Sequence, residues 1–476
     1  MKLGKLSLVA VMALGTSAFA IENVKVAGEV KVIYQTSDVE LTAAEIAAGA
    51  ESGLFEQGTG TVVGVSPYNG ASAGGIGGTL GVTADLLKSV SAGAEVQIYT
   101  TLGLENNVFG DNMINAPYGQ TGFTDGTEIA LAGSTFEDRT KDVSNISQLW
   151  LATTMGKTTV KAGRMELDTP LVFTEKWNVA KNTFESIVAV NTDLPDTTLV
   201  GAWVGKHNGH GSFDNRANVG GAQSDVRLEG GIRLAGSPGR TVNMDSFRTF
   251  GAHDTANGAY AVGAVNKSIA NTTLQAWYYD VVSIADAVWL QADTKVAGMV
   301  SLGAQYATLD PKGSAATVGD SSIWAVKGAV DVAGVNLYAA YSKADKDGYM
   351  GFSNISTADK TNIYTGQDSI YFDGVVTAPG VETYKIGAKG EIAGVKLAAA
   401  YVNASKAYWN HGASNSIDGV DGFDFSVGTK VGNLGLTAMY TIVNNDSDKT
   451  ITPPNGNPYY KGRDIDTLRL VASLKF

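Results

Sequence analysis

Few residues in this 476-residue chain could do chemistry. In His207-Asn208-Gly209-His210 two imidazoles stand at i and i+3, a spacing at which they can share a metal. A zinc site needs more ligands than two, and the remaining histidines, His253 and His411, lie far along the chain. Asp418, Asp421 and Asp424 surround two glycines, and Asp446 neighbours Asp448, but neither set has the spacing of an EF-hand calcium loop. No histidine stands near a G-x-S-x-G elbow, so no Ser–His–carboxylate arrangement emerges. The absence of cysteine removes thiolate metal sites and cysteine nucleophiles. The residues therefore point away from an enzyme and from a cofactor.

What remains is charge. Arg164, Glu166, Asp168, Glu175 and Lys176 crowd one segment, GRMELDTPLVFTEKWNVAKNTFE (163–185). Opposed charges at a narrow point of a pore set a local field that sorts solutes; the same charges can equally serve only to hold a loop by salt bridges. The connection 206–256 carries Arg216, Arg227, Arg233, Arg240 and Arg248, five of nine arginines. Such arginines can bind lipopolysaccharide phosphates, or remain solvated. The connection 37–77 holds Asp38, Glu40, Glu45, Glu51 and Glu56 and no basic residue.

The elements that must position these residues can be read from the pattern of the chain. Residues 1–20 combine Lys2 and Lys5, an apolar stretch and Ala18-Phe19-Ala20, the form of a secretory signal peptide. Without it, residues 21–476 carry 33 Lys+Arg against 47 Asp+Glu, a net charge of −14, which disfavours nucleic acid as a partner. No Pro- or Ser-rich linker divides the chain, and no later apolar run is long enough for a transmembrane helix. The apolar residues alternate instead. Leu468, Leu470, Ala472, Leu474 and Phe476 share one parity, opposed by Thr467, Arg469, Val471, Ser473 and Lys475, so each set occupies one face of a strand. Four connections are near copies: Val296-Ala297-Gly298-Met299, Val332-Ala333-Gly334-Val335, Ile392-Ala393-Gly394-Val395 and Val431-Gly432-Asn433-Leu434. Glycine or asparagine there supplies the positive φ of tight hairpins. Each is followed by a strand with a tyrosine well along it: Tyr306, Tyr341, Tyr401 and Tyr440, with Tyr34 and Tyr99 similarly placed earlier.

The periodicity predicts eighteen strands: 24–36, 78–86, 91–104, 145–154, 158–165, 184–192, 197–205, 257–267, 272–282, 287–295, 299–309, 321–332, 335–344, 381–392, 395–405, 421–431, 434–443 and 465–476. Their connections alternate long and short, with one short exception at 283–286 on the long side. An even strand count with long loops on one side and tight turns on the other is the signature of an all-β transmembrane antiparallel barrel of an outer membrane. Closure leaves no unpaired edge in lipid. The rival architecture is a secreted sandwich or β-helix.

The segment 163–185, continued by DLPDTTLVGAWVGKHNG (193–209), resembles the corresponding region of the major outer membrane porins of Campylobacter and relatives. Gly163-Arg164, Leu167-Asp168-Thr169-Pro170 and Asn182-Thr183-Phe184 carry the likeness, together with the leader MKLGKLSLVA and the last strand. The resemblance implies an 18-stranded porin, a homotrimer, and a third long loop, 166–183, folded into the lumen as its constriction. It also leaves room for a structural divalent cation such as calcium, at positions it does not assign.

On this reading residues 21–476 form a porin in the outer membrane of a Gram-negative bacterium, passing ions and small hydrophilic solutes by passive diffusion. Arg164, Glu166, Asp168, Glu175 and Lys176 would line the constriction. Lys161, Asp293, Lys327, Lys389 and Arg469 would line the lumen wall. Phe476 would signal assembly to the barrel assembly machinery. The acidic mouth loops and the net charge predict a weak cation preference. The alternatives are a substrate-specific channel, or an adhesin or surface-structural protein built on a barrel.

Overall fold

The computed structural model describes residues 21–39, 72–100, 143–208, 258–282, 285–312, 319–346, 351–356, 360–367, 375–377, 380–405, 419–445 and 465–476. It adds two-residue strands at Phe123–Thr124, Thr127–Glu128, Arg248–Thr249, Ala407–Tyr408 and Ser416–Ile417. The leader 1–20 lies outside the described residues. So do His210, His253 and His411, Asp418, Asp446 and Asp448, the loop arginines Arg216, Arg227, Arg233 and Arg240, and the acidic Glu40, Glu45, Glu51 and Glu56.

Alternating sequence becomes a closed 18-strand antiparallel barrel. Its strands are β1 (Glu22–Val39), β2 (Ser72–Leu87), β3 (Val90–Thr100), β4 (Val143–Met155), β5 (Thr158–Met165) and β6 (Phe184–Asn191). The wall continues with β7 (Thr197–His207), β8 (Ala259–Asn266), β9 (Thr272–Val281), β10 (Ala285–Val296), β11 (Val300–Pro311) and β12 (Ser321–Val332). It is completed by β13 (Val335–Ala344), β14 (Glu382–Ile392), β15 (Val395–Ser405), β16 (Val420–Val431), β17 (Leu434–Asn445) and β18 (Ile465–Lys475). Each strand pairs with its sequence neighbours. β1 and β18 then close the ring, in register from Glu29↔Lys475 to Val39↔Ile465. The seam ends in reciprocal backbone bonds, Gly28 N–H to Phe476 C=O at 2.9 Å and Phe476 N–H to Gly28 C=O at 3.0 Å. The Phe476 ring covers Gly28 closely: a Cβ on that glycine would stand 2.4 Å from the ring.

Parity divides the wall as the alternation requires. Leu80, Ile98, Leu149, Val262, Ile386 and Leu470 are exposed on the outer face. Tyr306, Trp324, Tyr384 and Tyr440 join them towards the long-loop ends. There Tyr278, Tyr401 and Tyr440 each donate a hydroxyl to an aspartate of a neighbouring strand at 2.7 Å, satisfying the polar tip of an otherwise apolar ring. Tyr99 does not belong with these tyrosines. It shares parity with Gln97, so it points inward and is buried.

The tight turns follow the expected hairpin chemistry with one addition. Val332↔Val335 and Ile392↔Val395 leave two-residue turns in which both residues have positive φ, 50° and 83° at Ala333-Gly334 and 51° and 81° at Ala393-Gly394. That is the type I′ geometry, which matches strand twist. Alanine thus occupies a left-handed position that glycine or asparagine would take at lower cost. β2 begins at Ser72, well before position 78. Its opening run, Ala73-Gly74-Gly75-Ile76-Gly77-Gly78, has no apolar alternation to read, because small residues are needed there to seat Val179.

Candidate functional site

The β5–β6 connection, 166–183, turns into the barrel. β5 ends at Met165, and Pro170 lies in the turn that follows, where its ring fixes φ. Thr169 closes a tight turn, its N–H and Oγ1 donating to the Val172 carbonyl at 3.0 and 2.9 Å, and Asp168 and Phe173 form a short backbone bridge. The chain then crosses the lumen. Lys31 on β1 donates to the carbonyls of Lys176 and Asn178 at 2.7 and 2.9 Å. Gln97 on β3 donates to the Lys181 carbonyl at 3.2 Å. Val179 lies on β2, where a Cβ on Gly77 would come within 2.5 Å of the Val179 carbonyl oxygen. The glycine run in β2 is therefore the seat of this loop. On β18, the Arg469 guanidinium sits 4.9 Å from the Trp177 ring and donates to Gln35 at 2.8 Å.

Of the five residues expected at the constriction, the structure joins two directly. Glu166 pairs with Lys176 and with Lys181, and Lys181 reaches Glu95 at 2.8 Å. Burial would push the Glu166 carboxyl up, but the ammonium groups of Lys181 and Lys176 outweigh it and hold that carboxyl below the usual carboxylate range. The converse holds for Lys181: burial would lower its ammonium, and Glu166 with Glu95 keeps it raised. Lys176 is the most open of the group, its side chain 63% exposed. Asp168 is exposed on the turn. Glu175 is buried, accepting from Trp177 Nε1 at 2.8 Å and from Asn354 at 2.9 Å, so it holds the loop rather than facing the passage.

Arg164 lies elsewhere. It is paired across strands with Leu149, which is 58% exposed on the outer wall, and its Nη2 donates to Glu185 at 2.7 Å. Its neighbours in sequence, Gly163 and Met165, face inward, and a period of two sends Arg164 outward. The loop-centred cluster of charges drawn from sequence thus loses its first member.

A second connection, between β13 and β14, also enters the lumen, and sequence reasoning missed it. Tyr364 donates to Asp293 on β10 at 2.9 Å, Gln305 on β11 donates to the Asn362 carbonyl at 2.8 Å, and Ser342 and Thr365 share a bond of 2.6 Å. Lys385 on β14 donates to the Gly366 carbonyl. Burial and the Asp293 carboxylate push the Tyr364 phenol up, so it acts as a donor at neutral pH. The two inward segments then clasp each other. Asn354 donates to the Phe173 carbonyl at 2.8 Å and to Glu175 at 2.9 Å. The Ile355 N–H reaches the Leu171 carbonyl at 2.8 Å, and Asn362 reaches that of Pro170 at 2.9 Å. Asn182 donates to Ser356 at 3.0 Å, and Ser356 meets His207 Nδ1 at 3.1 Å. His207 is therefore a buried structural contact. Both His207 and the Ser356 hydroxyl beside it are enclosed. Apolar packing around the clasp joins Leu171, Phe352 and Ile355 to Tyr279, Trp289 and Ile323 on the inner wall.

The expected wall residues fall on the inner face. Lys161 lies 4.0 Å from the Trp150 ring, Lys327 pairs with Asp293 at 2.6 Å, and Lys389 lies 5.9 Å from the Tyr338 ring. Among the described residues no three of His, Cys, Asp and Glu converge, so none of them forms a set that would hold a divalent cation.

No protein-family profile matches the chain, and no curated protein matches it. Solved structures do match in fold. Pseudomonas aeruginosa OccK3 (OpdO) aligns over 96% of both chains at 11% identity and a TM-score of 0.62. Pseudomonas aeruginosa OpdK, solved with vanillate, aligns over 96% of this chain and 99% of its own at 13% identity and a TM-score of 0.63. OccK8 (OprE) of the same organism covers the same shares at 15% identity and a TM-score of 0.63. At these identities the likeness concerns the fold.

Proposed function

We propose that the chain is an outer-membrane channel for passive diffusion of ions and small hydrophilic solutes, narrowed by two inward loops. The observation that carries this is the clasp itself: 166–183 and the β13–β14 connection meet inside a closed barrel whose outer face is apolar. A lipid-facing wall must pair every backbone group, which closure achieves. The fold it shares is that of outer-membrane channels. The likeness of 163–209 to Campylobacter major porins supports the same reading, and with it a homotrimer inserted by the barrel assembly machinery. Two packed loops favour a narrow channel over a wide general pore, and so bring the substrate-specific alternative forward.

For ion bias, two sets of charges oppose each other. The net charge and the acidic 37–77 loop favour a weak cation preference. Inside, Glu95, Glu166 and Asp293 each hold an ammonium partner, whereas Lys161 lies on an aromatic ring. Lys161 is thus placed to favour passing anions, while Glu29 and Asp424, which accept from hydroxyls of Ser473 and Thr441, are placed to favour cations. The reversal potential under a potassium chloride gradient decides: cation preference assigns control to the mouth loops, and anion preference assigns it to the lumen. A folded barrel that passes no current would defeat the channel reading and leave the adhesin.

A further inference from the structure

The inner wall of a water-filled barrel is usually polar, but β6 and β7 carry an apolar strip into the lumen. The outward parity on β6, β7 and β8 belongs to Ile187, Leu199, Trp203 and Val262, all exposed on the outer face. Val188, Val190, Val200 and Ala202 therefore point inward. They stand in two adjacent rows of the sheet. One row runs Lys161↔Val188 and Val188↔Ala202. The next runs Thr159↔Val190, Val190↔Val200 and Val200↔Gly263, and the Trp277 ring covers that glycine. At about 4.8 Å per strand, the strip from β5 to β8 is about 14 Å wide. All four side chains are partly exposed. Val200 and Ala202 pack in part against the core beneath the loop, whereas Val188 and Val190 lie outside that core.

A cation closes one edge of the strip. The Lys161 ammonium lies 4.0 Å from the Trp150 ring, and that ring is itself laid over Gly93. The carboxylate that acts on Lys161 is Glu166, which already pairs with Lys176 and Lys181. Three ammonium groups, Lys161, Lys176 and Lys181, thus face two carboxylates, Glu95 and Glu166, which leaves one positive charge in excess among these described residues. Partly wet valines beside an ammonium complement a solute with a hydrocarbon body and one anionic end. The body and the valines remove apolar surface from water together, and the anionic end meets the excess charge. We propose that this strip selects small alkyl anions over hydrophilic ions of equal charge, with the anionic end at Lys161 and the alkyl body across Val188, Val190 and Val200. The inference rests on the channel reading.

The test is block of the potassium chloride current through single channels of the full folded chain in planar bilayers. Straight-chain sulfonates from methane- to pentanesulfonate are added in turn, and the half-blocking concentration of each is read. Each methylene should lower it about two-fold, which is roughly 0.4 kcal/mol, half of full methylene burial. The series should therefore span about 15-fold. V188T/V190T should flatten this dependence on chain length and leave methanesulfonate block nearly as it was. Lys161→Gln should weaken every member by a similar factor and keep the dependence. Heat-modifiable migration scores folding of each variant, and Val190→Thr alone, expected to lose part of the dependence, takes the place of the double variant should that misfold. A flat dependence in the wild type, or an unchanged one in the folded valine variant, would overturn the proposal. So would equal block of wild type and folded K161Q. A folded wild-type barrel that passes no current would defeat the channel reading and the proposal with it, whereas a current that no sulfonate blocks would defeat the strip alone.

Discussion

Asn354→Ala should release the two inward loops from each other while the barrel stays folded. The Asn354 amide donates across the clasp to a carbonyl, Phe173, and to a carboxylate, Glu175, at 2.8 and 2.9 Å. A neutral bond contributes about 0.5–1.5 kcal/mol and one to a charged group about 1.5–3 kcal/mol. The docked state should therefore lose about 2–4 kcal/mol, because Glu175 and the Phe173 carbonyl are both buried and cannot regain full hydration. At 1.4 kcal/mol per decade, the undocked population rises by roughly 30- to 700-fold. The chain has no cysteine, so a reporter is easily placed. Val172→Cys, buried in the loop, should react with a thiol reagent at a rate set by local opening, and N354A should accelerate it by that factor. Heat-modifiable migration of the barrel should not change. A rate within a few-fold of the parent would show that Asn354 does not hold the clasp and would refute the reasoning.

Glu166 gives a pH prediction. Its carboxyl is held below its ordinary 4.5 by Lys181 and Lys176 against the opposing effect of burial, so its ion pairs contribute above 4.5 and are lost as pH falls through the lower folded value. Conductance should hold from neutral pH down to 4.5 and change as pH falls through the lower folded value, and E166Q should remove the acid step; a step above 4.5 that E166Q removes would count against the pairing. Gly28→Ala should displace the Phe476 ring, and deletion of Phe476 should remove the seam's last backbone bonds. Both should reduce heat-modifiable barrel in the membrane fraction, the deletion more severely. Ala393→Asn should stabilise its type I′ turn by up to about 1 kcal/mol, since asparagine tolerates the left-handed region better; denaturant midpoints of purified barrel check it, and a lowered midpoint would contradict the turn geometry.

The wall was legible because the side-chain period of a strand is two. A run such as Leu468 to Phe476 declares both its structure and its lipid-side face, and the Ala-Gly turns declare their hairpins. β2 resisted because its glycines serve the approach of Val179 and carry no parity. Arg164 and Glu166 are close in sequence but not in space, because crossing from strand to loop puts the two on opposite sides of the wall. The β13–β14 connection left no local signal. Its Asn354, Ser356 and Tyr364 look like any polar loop, and only partners far away in sequence, Phe173, Asn182 and Asp293, give them a role. Lys181 and Glu95 leave no sequence signal for the same reason, since their meeting depends on how the loop crosses the lumen.

The central claim, that a passage survives inside the barrel and that the clasped loops set its width, is tested most directly by single-channel recording in planar bilayers. The wild type is compared with a chain lacking residues 171–179. The account predicts small, discrete openings in the wild type and a several-fold larger conductance in the deletion, with looser size exclusion. An equal conductance in the two folded proteins would place 166–183 outside the path of the ions.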